Sequence, residues 1–261
     1  MNSLLKISNL IAFLATLCIN YLANTGLING NTMATVSAKY ENLFTPAGYA
    51  FSIWGIIYLF LLGFVIYQGL SLFNKAKTNN LATQVGWWFV VSCVANSLWV
   101  FAWLYEFIGV SVILMFVLLF SLLNIIVKTN MERWDAPFKT ILFLWWPFCI
   151  YSGWIAVASI ANIAVYLTKI GWDGFGLSEI TWAIIMILVA SILNIFITWN
   201  RNMREFALVG VWALIAIAIA NWEVQPTIVY TAIVTAIILF LSSSIHAYKN
   251  RNTNPFIKLF L

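Results

Sequence analysis

Eight times along this chain an apolar run long enough to cross a bilayer passes without one Asp, Glu, Lys or Arg: residues 7–22, 47–70, 86–104, 107–127, 140–166, 180–199, 206–222 and 226–248. A hydrocarbon core about 30 Å thick asks for roughly 20 apolar residues per helical crossing. Only 8% of the residues are charged, against roughly 25% in soluble domains, so the solvent for this fold is lipid. Backbone groups in lipid must be satisfied within the segment or around a closed barrel, and these unbroken runs lack the alternation of a barrel strand. The fold expected is all-α, a polytopic membrane helical bundle of about eight transmembrane helices.

Orientation follows from the basic residues on alternate connections. One side carries Lys6, Lys75, Lys77, Lys128, Arg133, Lys139, Arg201, Arg204, Lys249, Arg251 and Lys258, while the other carries only Lys39 and Lys169. Both termini are expected in the cytoplasm, in a multi-pass protein of the inner (cytoplasmic) membrane. The net charge of +5 is spread over short loops, so it serves topology and implies no nucleic-acid partner. The first run resembles a signal peptide only superficially. Tyr21, three residues before a cut after Ala23, is too bulky for a cleavage site, so the run is read as a helix. Cys18, Cys93 and Cys149 fall inside separate runs, where a free cysteine acts as a small apolar filler, and no redox or metal role is assigned to them.

The connections are short except for residues 23–46. That segment opens with Asn24, Gly26, Asn29 and Gly30 and then turns weakly helical over 32–43, with Met33, Val36, Tyr40 and Phe44 at helical spacing. It is expected to lie as a lid over the outer mouth of the bundle; the alternative is an interfacial helix resting on headgroups. The two-residue link 105–106 and the three-residue link 223–225, followed by Pro226 at a first helical position, make antiparallel neighbours of the runs they join. Ser152 with Ala156 and Ala216 with Ala220 allow close helix approach.

An ionisable side chain in a membrane is a functional candidate because it is costly to bury. The runs hold none except His246, read as an interfacial residue beside Tyr248 and Lys249. That pattern disfavours proton- or ion-coupled relays, and no lysine is placed to form a Schiff base. The runs carry rings and neutral amides instead. Phe51, Trp54 and Tyr58 share one helical face; so do Trp88, Ser92, Asn96, Trp99 and Trp103, and so do Pro147, Tyr151, Trp154, Ala158 and Asn162. Trp134, Trp172, Trp199 and Trp222 sit at run ends, as belt residues do. Trp54, Trp99 and Trp154 lie deeper, where an indole N–H needs a partner that Asn96 or Asn162 can supply across helices. Packing alone would also explain such rings and amides.

Pro46 followed by "WGIIY", Trp54 to Tyr58, then "NSLW", Asn96 to Trp99, then "PFCIYSGW…ASIAN", Pro147 to Asn162, resemble in order and spacing the tryptophan-rich sensory proteins, or translocator proteins, of the TspO/MBR family. The likeness covers residues 1–167, taken as a TspO-like five-helix bundle with loop lid 23–46; residues 168–261 are an additional three-helix segment with a short cytoplasmic tail. Departures are Thr45 for the first of two prolines, Phe101 for a proline and Tyr151 for a tryptophan. No sterol motif carries over, since Val165 abuts Tyr166. The resemblance implies a ligand-binding or sensory membrane protein whose cavity takes a flat apolar molecule, a tetrapyrrole such as protoporphyrin IX, and implies homodimers. The ligand-binding candidates are Tyr40, Phe44, Pro46, Phe51, Trp54, Tyr58, Asn96, Trp99, Trp103, Tyr151, Trp154 and Asn162. No cofactor is required, a bound porphyrin being what the resemblance allows, and the partners expected are membrane lipid and the hydrophobic ligand. The rival classes are a transporter of a neutral small molecule or lipid and a light-dependent porphyrin-degrading enzyme.

Overall fold

The computed structural model describes residues 2–73 and 80–251. Lys75, Lys77 and Lys258, three of the residues used for orientation, lie outside the described residues. Among the described residues every regular element is helical. The elements are α1 (Asn2–Leu22), α2 (Met33–Lys39), α3 (Ile53–Phe73), α4 (Leu81–Val85), α5 (Trp88–Leu104), α6 (Ile108–Lys128), α7 (Phe138–Thr140), α8 (Trp146–Lys169), α9 (Glu179–Arg201), α10 (Arg204–Ala220) and α11 (Pro226–Lys249). Among the described residues six spans are long and apolar enough to cross a membrane, and the chain is a multi-pass helical membrane protein. The sequence runs 86–104 and 206–222 correspond to α5 and α10, each of 17 residues. At 1.5 Å per residue these are about 25 Å long, shorter than the hydrocarbon core.

The span that contains α8 is the axis. In its most apolar window 72% of residues are buried, against 28–39% in the other five long spans. It packs on α3, α6, α9 and α10. One apolar core joins α1, α3, α5, α6 and α8 and takes in Phe206, Val209, Ala213 and Ala216 of α10. A second joins α9, α10 and α11. Helix α10 therefore has a face in each core and couples the last three helices to the first five. Helices α8 and α10 pack closely at Gly153, where a Cβ would stand 3.1 Å from the Phe206 backbone. The small residues anticipated for this role were Ser152 and Ala156; glycine, with no side chain, allows the closer contact.

Local chemistry sets the ends. Thr32 caps α2 in a reciprocal box with Thr35, and α2 stops at Lys39 rather than continuing to 43. There the Asn42 side chain accepts from Phe44 N–H at 3.0 Å and Thr45 Oγ1 accepts from Asn42 N–H at 3.0 Å, local bonds that replace helical ones. Pro46 lies before the helical turns. The chain docks first, Ala47 N–H donating to Ala216 O at 3.0 Å, and then enters α3 through a 3-10 turn, Gly48–Ser52. Before α8 the helix widens into a π turn, Ile141–Trp145. Pro147 has no N–H for the carbonyl four residues back and its ring clashes with that carbonyl, which the wider turn accommodates.

Helix α1 is fastened by buried polar pairs, which in lipid have no water to compete for them. Asn9 Nδ2 donates to Gln68 Oε1 at 2.9 Å, Thr16 Oγ1 to Cys93 O at 3.2 Å and Asn20 Nδ2 to Asn96 Oδ1 at 2.7 Å. Cys93 and Cys149 are buried, whereas Cys18 is exposed on the outer face of α1.

Candidate functional site

The ring stripes of α3, α5 and α8 meet beneath the 23–46 segment. Trp54 is the hub. It stacks on Tyr58 (centroids 5.5 Å apart), tilts against Trp99 at 6.3 Å, and meets Tyr151 and Trp154 edge-on at 5.8 and 6.5 Å. Phe51 is edge-on to Trp154 at 6.2 Å, and Trp103 continues the Trp99 stripe at 5.9 Å. Ring pairs in these geometries contribute about 0.5–1.5 kcal/mol each beyond their buried area.

Two hollows flank this cluster. The inner one, of about 50 Å³, is lined by Pro46, Phe51, Trp54, Trp99, Trp103, Trp154 and Asn162, together with Ser37, Thr45, Val157, Ala158, Ala161 and Val165. The outer one, of about 410 Å³, is a groove between α1 and α3 lined by Leu17, Asn20, Tyr21, Asn24, Met33, Ser52, Gly55, Phe51, Trp54 and Tyr58. Phe51 and Trp54 line both, so these two rings form the partition between them.

Polar atoms divide into satisfied and unsatisfied sets. Asn162 Oδ1 accepts from Trp99 Nε1 at 2.9 Å and from Ser111 Oγ at 3.2 Å, while its Nδ2 donates to Ser111 Oγ at 2.9 Å. Trp103 Nε1 donates to Met33 O at 3.3 Å, tying α5 to the start of α2. Ser92 Oγ donates to Phe89 O, three residues back, at 2.7 Å. Among the described residues the Trp154 indole N–H and the Tyr58 hydroxyl are buried with no hydrogen-bond partner. Each of these is a donor, and a buried donor without a partner carries a desolvation cost that an acceptor-bearing ligand would relieve.

The 23–46 segment is held across the mouth by a polar latch. Lys39 Nζ contacts both Glu106 carboxylate oxygens at 2.7 and 2.8 Å, and Tyr40 OH donates to Oε2 at 2.5 Å. Lys169 Nζ donates to the Glu106 carbonyl and lies 5.6 Å from the Tyr40 ring centroid. The Lys39 ammonium and the Tyr40 hydroxyl hold the Glu106 carboxyl below the usual carboxylate range, and Glu106 in turn raises Lys39. Asn29 and Asn31 both donate to Leu104 O at 2.9 Å.

Not every residue singled out in the sequence lines the hollows. Tyr40 belongs to the latch. Phe44, fully buried, packs in the second core with α9–α11, because the turn at Asn42 breaks the spacing that aligned it with Tyr40. Tyr151 and Asn96 stand behind the cavity wall, one bracing Trp54 and the other accepting from Asn20. Trp88 lies against Phe120 (5.6 Å) with Lys128 over its ring (5.6 Å), away from the cluster. Val157, Ala161 and Val165 were not singled out as lining residues, being apolar and without a chemical signature. Their signal was spacing, three, seven and eleven positions after Trp154 on one face of α8.

A family model described as TSPO-like protein matches residues 6–245, running past the five-helix motifs into the last three helices. No curated protein and no solved structure matches the chain.

Proposed function

This chain belongs to the TSPO-like family, and on that footing we propose that it is a membrane receptor of sensory type for a flat apolar small molecule, of which a tetrapyrrole such as protoporphyrin IX is the leading candidate. The observation that carries this reading is the convergence of the three ring stripes on one hollow beneath the latched segment. Stacked rings suit a planar ligand, and the free Trp154 and Tyr58 donors suit acceptors on its edge.

Size sharpens the reading. A hollow of about 50 Å³ is far below the roughly 300–1,000 Å³ of small-molecule sites. A tetrapyrrole therefore needs the groove on the far side of Trp54 as well, about 410 Å³, and binding swings the Phe51–Trp54 partition aside. In the same reading the basic end of the bundle, with Lys6, Lys128, Lys139 and Lys249, faces the cytoplasm of an inner membrane.

The test is titration of the purified protein in detergent micelles with protoporphyrin IX, followed by the porphyrin absorbance shift. Replacing both Trp54 and Tyr58 with Ala is expected to weaken binding at least tenfold while helical content is kept. Unchanged affinity in that variant refutes the proposal.

A further inference from the structure

A second cavity, of about 290 Å³, opens at the basic end of the bundle, opposite the latched segment. Its walls come from the α6–α7 turn, the π turn, the start of α10 and the end of α11, with Glu132, Trp145, Arg204, Glu205 and His246 among them. The α9–α10 turn grips the α6–α7 turn from across the bundle. Asn202 Nδ2 donates to Glu132 O at 2.8 Å, Arg133 donates to Asn200 O at 3.0 Å, and Arg201 donates to Met131 O at 3.4 Å. The last three helices thus build half of this cavity.

Its buried polar atoms lack acceptors. Trp145 is 2% exposed and His246 3%, and among the described residues neither Trp145 Nε1 nor His246 Nδ1 has a hydrogen-bond partner. His246 Nε2 lies 3.2 Å from the Asn250 amide nitrogen, so the neutral ring carries its proton on Nδ1 and both orphan atoms are donors. Arg204 adds a guanidinium that no ion pair engages among the described residues. It stands in the first turn of α10, whose N-cap Met203 offers no side-chain acceptor, so the helix end adds positive potential.

From this donor set we propose that the cavity binds a small organic carboxylate, held by the Arg204 guanidinium and the Trp145 and His246 N–H groups. The acidic neighbours fit the proposal. Glu205 turns its Oε2 toward the Cys149 thiol, 4.0 Å away. Burial, reinforced by the Glu205 charge, pushes the Glu132 carboxyl up to about 8 despite the opposing pull of Arg204. Raised in this way, the Glu132 carboxyl repels an anion less than an ordinary carboxylate would. The other ionisable groups of the walls are Arg133 and Asp135 on the Glu132 turn and His246 on α11. The Arg204 guanidinium matches one negative charge; a phosphate dianion would bring a second into a cavity whose walls already include Glu205 and Asp135. Ile141 and the Trp146 ring supply an apolar wall for the body of the acid.

The site does not depend on the aromatic cluster at the other end. It is tested on the full chain in micelles by benzoate titration, read through the 15N-indole resonance of Trp145, which is assigned by its disappearance in Trp145→Phe. A saturable shift is expected, with affinity falling about tenfold from pH 6.5 to pH 9 as Glu132 ionises. Glu132→Gln, a permanently neutral carboxyl mimic, should bind equally at both pH values. Arg204→Gln should lose at least tenfold in affinity, and Arg204→Lys, which keeps the charge, should recover part of it. Absence of saturable benzoate binding overturns the proposal, as does a pH dependence surviving in Glu132→Gln, undiminished binding in Arg204→Gln, or equal binding of inorganic phosphate.

Discussion

The bond from Trp99 Nε1 to Asn162 Oδ1, 2.9 Å long and buried between α5 and α8, holds one wall of the aromatic hollow. Replacing Asn162 with Ala leaves the indole N–H without a partner and removes both contacts to Ser111. Ser111 keeps its 2.7 Å bond to Ile108 O, so that hydroxyl is not orphaned. An unpartnered buried donor costs about 1–3 kcal/mol, but side-chain bonds between helices in lipid average only about 0.6 kcal/mol and reach about 1.7. The geometry here is good and both residues are nearly fully buried, which places the Trp99–Asn162 coupling near 1 kcal/mol, about fivefold in the unfolding equilibrium. The assay is a double-mutant cycle with Trp99→Phe, which deletes the N–H and keeps a ring. Unfolding is followed by circular dichroism as SDS is titrated into mixed micelles. Asn162→Ala is expected to cost roughly 2 kcal/mol alone and roughly 1 kcal/mol when Trp99→Phe is already in place. A coupling below about 0.3 kcal/mol, the scatter of independent sites, would refute the view that this bond fixes the wall.

Two glycines at helix contacts should respond differently to alanine. At Gly153 the obstacle is the Phe206 backbone, 3.1 Å from the new Cβ, so the two helices must part; the expected loss is about 1–3 kcal/mol, read as a lower melting temperature. At Gly210 the obstacle is the end of the Asn194 side chain, 2.6 Å away, which can rotate. The gain in helix propensity, about 1 kcal/mol, then offsets most of the cost and the melting temperature changes little. Equal losses at the two sites would contradict this ranking. The latch has a definite pH sign. Because its partners depress the Glu106 carboxyl, the contact is intact above the ordinary carboxylate range and is lost as pH falls through the lowered value. Hydrogen exchange of residues 33–45 should therefore accelerate relative to the intrinsic rate at acid pH, and Glu106→Gln should show that relative acceleration already at neutral pH. The effect is modest because the ion pair is largely exposed.

Much of this molecule is legible in the sequence because lipid imposes a simple rule: a backbone without water must close its own hydrogen bonds over a fixed thickness. Uncharged runs therefore located the helices. The three-to-four-residue spacing of Trp54, Trp99, Trp154 and Asn162 located the faces that meet, and Trp99 does find its acceptor on Asn162. Spacing is informative only while one helix continues. Phe44 parted from Tyr40 where Asn42 and Thr45 bond locally and end α2. His246 reads as interfacial by its neighbours in sequence, yet two residues of helix carry the face round by about 200°. It is buried in the bundle while Tyr248 is exposed.

What the sequence by itself determined is the solvent, the crossings and the ring-bearing faces, since composition and period are properties of each segment alone. Only the tertiary structure decided how large a space those rings leave, that Phe51 and Trp54 stand as a partition between two hollows, that Asn96 serves Asn20, and that the last three helices close a polar cavity at the far end. Those features depend on the distance between helices, and that distance is set by residues from several segments packing at once, Gly153 against Phe206 among them.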